Sequence, residues 1–380
     1  MESKWALETG VSEGPQLIRI KGNIRNNNLG NIKKTDENRL LVYYLSVPPV
    51  LFSTVCQQID AHDLNVSFSR LVVEKPLGED LKSATEINGL LNKSFTERQI
   101  YRIDHYLGKP ALQNIIKLRT EHSSLEALWN KNFIRQIDIT VSETVGVEGR
   151  AEFLDRVGVL RDTVQNHLMQ TLCLAAMDLP KLDATNDIRD EKVAVVKALD
   201  STKRQTIRAQ YVSGKINGNG VPGYLEELTP HLDKVDGNGE TYVEIMTVIN
   251  NDRWDGVVIK LKTGKRLSSR MAEVMLHLKS GKGEFIKIEI QPNIKFTTNM
   301  KNSEISAIEM ESCNEERAPE AYEFLIHEII KGNQSYFVRG DEIMASWQWI
   351  DGIREVWANN NQEMLTYAAG SNGPVMEYKW

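Results

Sequence analysis

Apolar positions along this chain fall into two regimes. Up to about residue 103 they come as short, dense runs separated by polar stretches. Residues 40–46, Leu-Leu-Val-Tyr-Tyr-Leu-Ser, form one such run, and the pattern predicts a buried strand that Pro48-Pro49 ends. Residues 52–61 read as a helix and 70–74 as a second apolar, β-branched strand. Strand, helix, strand at this spacing is a parallel βαβ unit. Asp80 is placed to cap a helix running to about residue 93, and residues 99–103 supply one more strand. Beyond Pro110 the pattern lengthens. Residues 111–130 are predicted helical, 133–145 form a strand with period-two alternation, and 159–177 form a long amphipathic helix. Strands follow at 206–212, 241–249, 257–262, 273–279, 285–291 and 304–310, and two helices at 319–331 and 341–357. Strands in succession, closed by helices, indicate an α+β domain with a largely antiparallel sheet.

The fold expectation is therefore α/β plus α+β. A partial Rossmann-like parallel sheet over residues 1–105 precedes a larger domain over 106–380 with a mostly antiparallel sheet and helices. Residues 1–37 carry little pattern. Gly10, Gly14, Gly22 and Gly30 alternate with Asn26-Asn27-Asn28 and Lys33-Lys34, and only 17–20 suggests a strand. No internal repeat or low-complexity segment stands out.

Composition narrows the function classes. The 380 residues are 41% hydrophobic and 26% charged, with a net charge of -6, which describes an ordinary globular protein. That charge disfavours nucleic acid or an anionic membrane as partner, while leaving room for a local basic pocket. The three cysteines, Cys56, Cys173 and Cys313, lie far apart, forming neither a metal spacing nor a disulfide framework. A reducing, cytoplasmic compartment is expected. The longest apolar stretch, 41–52, is interrupted by the double proline and is too short to span a bilayer.

The densest chemistry is Arg102-Ile103-Asp104-His105-Tyr106-Leu107-Gly108-Lys109-Pro110. Proline suits the first position of a helix, where a missing N–H costs nothing. The groups before it then sit at the positive end of that helix, where anions are favoured. Lys109 and His105 supply charge and Tyr106 a hydroxyl, so a phosphate is the natural guest.

This stretch resembles the signature of glucose-6-phosphate dehydrogenases. The resemblance extends over most of the chain from about residue 38. It includes Asn38-Arg39-Leu40, Val47-Pro48-Pro49, Val73-Glu74-Lys75-Pro76-Leu77-Gly78 and Gln165-Asn166-His167. It continues through Arg253-Trp254-Asp255-Gly256-Val257, Gly264-Lys265, Gln291-Pro292-Asn293 and Pro319-Glu320-Ala321-Tyr322-Glu323. It implies oxidation of glucose 6-phosphate to 6-phosphogluconolactone, the first step of the oxidative pentose phosphate pathway, with NADP as the usual cofactor. A homodimer or higher oligomer is implied as well.

Oxidising a cyclic hemiacetal needs a base for the hydroxyl proton, and a histidine near its neutral pKa suits that role. By resemblance His167 is the base and Asp104 the carboxylate paired with it. His167 is expected near the polar edge of a buried helix. Asp162, five residues earlier, does not share its face of an α-helix, and is assigned to a sugar hydroxyl. The resemblance makes Glu143 a second hydroxyl acceptor, and His105, Tyr106 and Lys109 the phosphate ligands. Lys265 and Gln291 complete the sugar contacts. Lys75 follows a buried strand, so its ammonium emerges at a carboxyl end, where α/β ligands collect. In the family this lysine lies between sugar and cofactor, and Pro76 lines the nicotinamide side. Some members hold a second, structural dinucleotide with basic side chains. The matching positions here read Met271, Met275, Glu289 and Asn299, which cannot replace guanidinium or ammonium against phosphates.

A dinucleotide enzyme is expected to open with a strand, a glycine-rich turn and a helix. Neither Gly10-Val11-Ser12-Glu13-Gly14 nor Asn28-Leu29-Gly30-Asn31 has that form, so the glycine-rich segment is expected to be missing. The competing reading is a catalytically inactive, truncated homologue that binds sugar phosphate or pairs with a full-length subunit. An unrelated sugar-phosphate binding module would have no need of His167 and Asp104.

Overall fold

The computed structural model describes residues 40–180, 185–229, 235–281, 283–301, 303–308 and 320–374. The strand expected at 17–20, the glycine segments before residue 31, Asn38-Arg39, Cys313 and the ends of the 304–310 and 319–331 predictions lie outside them. The chain divides into two compact units, Met1–Asp104 with Leu325–Met344, and His105–Phe324 with Ala345–Trp380.

In the first unit β1 (Leu41–Leu45), β2 (Ser69–Val73) and β3 (Ile100–Arg102) pair in parallel in the order β1-β2-β3. Helices Phe52–Ala61 and Leu81–Ser94 make the crossovers. Phe52, Cys56 and Ile59 recur at helical spacing and meet Leu71, Val73, Leu91 and Ile100 in one core. Asp80 caps the second helix as expected, its Oδ1 accepting the Ser83 N–H at 2.7 Å. The turn after β2 is tight. Gly78 has φ +95°, and a Cβ there would stand 2.6 Å from the Ala84 nitrogen, so only glycine fits. Residues 325–344 complete this unit. The Gln334 amide donates to the Glu97 and Ile100 carbonyls at 3.0 Å each, and the Val338 N–H to the Arg102 carbonyl at 3.1 Å. Arg102 itself is fully enclosed and paired with Glu97 at 2.8 Å.

The second unit is built on an eight-stranded sheet. Its strands are β4 (Ile134–Ser142), β5 (Gln205–Val212), β8 (Tyr242–Val248), β9 (Val258–Gly264), β10 (Met271–Leu278), β11 (Phe285–Gln291), β12 (Lys295–Thr298) and β13 (Leu365–Ala368). A small hairpin, β6 (Gly214–Ile216) and β7 (Asn219–Val221), stands apart. The order β12-β11-β10-β4-β9-β8-β5-β13 is antiparallel except where β4 meets β9 and β13 meets β5. β11, β4 and β9 consequently run the same way and end at the same edge.

Helices pack on the apolar face. Helix Met169–Ala176 is wholly buried. Two of its last carbonyls, which no further turn could serve, accept the Trp129 and Trp254 indole N–H groups at 2.6 Å each. Several predicted elements need correction. The helix expected at 111–130 breaks at His122 into Pro110–Glu121 and Ser123–Glu126. The strand expected at 304–310 is instead a single helical turn, Ser303–Ser306. After Pro292 the chain turns back and pairs with β11 as β12, the terminal strand of the sheet. Helix Thr185–Ala198, β13 and the hairpin were not predicted from the pattern.

Candidate active site

The helix expected at 159–177 starts earlier and is not regular. Helix Ala151–Val159 runs into Leu160–Leu168 across a break at Gly158, whose φ is +69°. Leu160–Leu168 is wound as a π-helix, with the Met169 N–H reaching the Val164 carbonyl. Side chains add further hydrogen bonds to its carbonyls. The Asn166 amide donates to the Arg161 carbonyl at 3.0 Å, Ser346 to Gln165 at 3.2 Å and Thr171 to His167 at 2.7 Å. Hydrogen bonds between residues five apart put such positions one above the other. The expectation that Asp162 and His167 occupy different faces, drawn from α-helical geometry, therefore fails here. His167 is also more enclosed than a polar edge implies, at 7% exposure.

Around His167 the second unit gathers the expected phosphate ligands. A 3-10 turn, His105–Gly108, leads to Lys109 as N-cap and Pro110 as the first residue of its helix, as the sequence predicts. The Tyr106 ring stacks on the His167 imidazole, with centroids 4.1 Å apart and planes 13° from parallel. His105 meets the same imidazole edge-on at 4.5 Å. The Lys109 ammonium lies 3.8 Å from the Tyr106 ring centroid and donates to Gln291 Oε1 at 2.8 Å. Gln291 is the last residue of β11, against which helix Pro110–Glu121 packs.

The sugar-contact candidates stand along the same sheet edge. The π-helical segment packs on β4 and β9. Ser142 and Gly264 are register partners at the ends of these parallel strands, so Glu143 and Lys265 leave the sheet side by side. Their side chains form an ion pair. Lys265 is 6% exposed, which an ordinary turn lysine would not be. Asp162 is held by the Arg150 guanidinium at 3.2 Å. In the first unit, Lys75 and Pro76 follow β2 at its carboxyl end, joined by a cis peptide. Asp104 closes that unit and is buried, and His105 opens the second.

Sequence reasoning missed three neighbours. Tyr322 stacks near His105 at 6.4 Å with planes 11° apart, and its only signal was membership of Pro319-Glu320-Ala321-Tyr322-Glu323. Arg150 gave none, and neither did Tyr367, whose hydroxyl donates to the Lys265 carbonyl at 2.6 Å.

Behind the π-helical segment a cavity of about 710 Å³ is lined by Glu240, Arg161, Arg208 and Trp357, among others. Burial pushes the Glu240 carboxyl above its usual range, against the opposing effects of the Leu160 N–H and of Arg161 and Arg208. A carboxyl with a raised folded pKa loses stability as pH climbs from its unfolded value through the folded one. Glu240→Gln is therefore expected to gain thermal stability relative to the parent with rising pH. Melting curves from pH 5 to 9 check it, and a gap that narrows as pH rises would refute it.

Comparison with known proteins gives the family of the chain. The family description "Glucose-6-phosphate dehydrogenase, NAD binding domain" matches residues 13–114, and "Glucose-6-phosphate dehydrogenase, C-terminal domain" matches 116–380. The chain belongs to the glucose-6-phosphate dehydrogenase family. Among its relatives, glucose-6-phosphate 1-dehydrogenase of Rhizobium meliloti (strain 1021) is 39% identical over 374 residues, covering 91% of this chain and 75% of the relative. That of Bacillus subtilis (strain 168) is 37% identical over 383 residues, with 93% and 77% covered. A solved family structure described as in complex with its substrate glucose-6-phosphate superposes with a TM-score of 0.79 at 32% identity. It covers 90% of this chain and 75% of that one. The glucose-6-phosphate 1-dehydrogenase structure from Mycobacterium avium gives a TM-score of 0.75 at 31% identity, with 93% and 78% covered. Among the described residues no helix is long and apolar enough to cross a membrane.

Proposed function

We propose that this protein oxidises glucose 6-phosphate to 6-phosphogluconolactone, with NADP as hydride acceptor. The observation that carries this reading is the packing of Tyr106 and His105 against the enclosed His167 imidazole, with the Lys109 ammonium over the Tyr106 ring. It sets a proton acceptor beside a phosphate-binding group at a helix N-terminus. Lys109, His105 and Tyr106 bind the phosphate, with Gln291 orienting the Lys109 ammonium. Glu143, Lys265 and Asp162 receive the sugar hydroxyls. His167 takes the proton of the anomeric hydroxyl, and Asp104 steadies the imidazolium. Tyr106, stacked on the ring, fixes its plane and keeps water from that face.

Lys75 and the exposed Pro76 stand at the carboxyl edge of the β1-β2-β3 sheet and would hold the nicotinamide side of a dinucleotide, while the described residues include no glycine-rich turn for its pyrophosphate. When bound, the dinucleotide supplies the acceptor for the hydride that leaves the anomeric carbon. Purified protein given glucose 6-phosphate and NADP tests the reading through the absorbance of the reduced nicotinamide. Turnover far faster with this sugar phosphate than with glucose supports it, and a folded protein without turnover sinks it. A homodimer or higher oligomer in the cytoplasm is part of the same proposal.

A second, structural dinucleotide is not expected. Glu289 is ion-paired with Lys287 at 2.5 Å. The Asn299 amide is committed to the backbone of Phe285 and Gly283. Protein purified without added nucleotide should release none on denaturation, and a stoichiometric dinucleotide in the supernatant would contradict this.

A further inference from the structure

We propose that the adjacent residues Glu240 and Thr241 are positioning residues. Glu240 sets the start of the helical segment bearing Asp162 and His167, and Thr241 sets the turn bearing Lys265. The inference rests on the catalytic roles proposed above for His167 and Lys265.

The break at Gly158 interrupts one helix and begins another, leaving N–H groups that no preceding turn can receive. Both are met by one residue. The Val159 N–H donates to the Glu240 carbonyl at 3.0 Å and the Leu160 N–H to Glu240 Oε1 at 3.0 Å. The fit is close, because a Cβ on Gly158 would stand 2.0 Å from that same Oε1. The carboxyl thus fills the space a side chain at 158 would take, and it does so two residues before Asp162's own turn begins at Leu160.

Thr241 faces the other way. Its carbonyl accepts the Lys265 N–H at 2.9 Å. The Tyr367 hydroxyl bridges the Lys265 carbonyl at 2.6 Å and the Thr241 carbonyl at 3.3 Å. Thr241 is tied in turn to β5. Its N–H donates to the Ala209 carbonyl at 2.9 Å, and its Oγ1 accepts the Tyr211 N–H at 3.1 Å.

The approach to this dipeptide is itself fastened. Asp155 accepts the N–H groups of Asp236, Gly237 and Gly239 at 2.9, 3.1 and 3.0 Å. The Gln210 amide donates to the Gly237 and Gly239 carbonyls at 2.8 and 2.9 Å. A single peptide link therefore fixes the proton acceptor's helix relative to a sugar-contact lysine that is nearly a hundred residues away in sequence. Each end of the link carries one main-chain contact, the Glu240 carbonyl to the Val159 N–H and the Thr241 carbonyl to the Lys265 N–H, and one side-chain contact, through the Glu240 carboxyl and the Tyr367 hydroxyl.

The test uses the full chain with Glu240→Ala, Glu240→Asp, Glu240→Gln and Tyr367→Phe. Misplacing a reacting group by about 1 Å can cost up to about a hundredfold in rate. On that scale, Glu240→Ala is expected to lower kcat about tenfold with KM for glucose 6-phosphate nearly unchanged. Glu240→Gln, whose amide oxygen still accepts the Leu160 N–H, restores kcat. Glu240→Asp withdraws the oxygen by one methylene without opening a hole, and should show the loss even where the alanine variant does not fold. Tyr367→Phe is expected to raise KM several-fold with kcat nearly unchanged.

Equal impairment in Glu240→Gln and Glu240→Asp would overturn the proposal, as would kcat and KM moving together in every variant. The His167 imidazole resonances, assigned by their loss in His167→Asn, give a readout independent of turnover. They should shift in Glu240→Asp and not in Glu240→Gln. If the parent protein shows no activity but this shift is seen, the activity assigned above fails while the positioning role stands. An active parent with unmoved resonances in both variants removes the positioning role alone.

Discussion

Replacing His167 by asparagine should lower kcat by about 10²- to 10⁴-fold, the span that a positioned general base contributes, while glucose 6-phosphate still binds. Asparagine keeps a polar group of similar reach but cannot take a proton near neutral pH. The surroundings favour a clean substitution, because Tyr106 stacks on the ring and three of the segment's carbonyls are held by Asn166, Ser346 and Thr171. Reduced-nicotinamide absorbance gives kcat, and calorimetric titration with glucose 6-phosphate gives binding. A variant within threefold of the parent would take the base assignment away from His167. Loss of binding and turnover together would make the residue structural.

Lys109→Ala should raise KM for glucose 6-phosphate about tenfold to a hundredfold, because a hydrogen bond to a charged group is worth about 1.5–3 kcal/mol. The ammonium is already oriented by the Tyr106 face and Gln291, so little ordering cost offsets its contact with phosphate. The effect should appear with the phosphorylated sugar and vanish with unphosphorylated glucose, and it should shrink as salt is raised. An equal loss on both sugars would mean that Lys109 shapes the pocket rather than binding the phosphate.

Local rules recovered those parts of the fold whose cause is local. Strand β1 ends at its proline pair, Asp80 caps its helix, and Pro110 opens the helix behind Lys109, each because a few neighbouring atoms decide the matter. The π-helical winding at 160–168 was not legible. It rests on main-chain bonds between residues five apart after the break at Gly158, which apolar spacing does not encode. The 304–310 prediction failed because alternation over so short a run does not distinguish a strand from the helical turn Ser303–Ser306. For the candidate site, the sequence named residues through motifs, and it had no means to pair Arg150 with Asp162 or Tyr367 with Lys265. Those contacts are made by groups with no motif of their own, and they exist only once strands far apart in sequence lie in register.

The return of residues 325–344 to the first unit bears on how the protein is made. β3 leaves the ribosome early, but the residues that satisfy its carbonyls and cover Arg102 follow more than two hundred residues later. The first unit therefore reaches its final form only after the eight-stranded sheet's β4 to β12 have emerged. An N-terminal fragment ending near residue 104 would carry a buried arginine and open carbonyls into water. Such a fragment is a poor candidate for independent expression, whereas a chain extending past residue 344 carries the residues that bond those carbonyls.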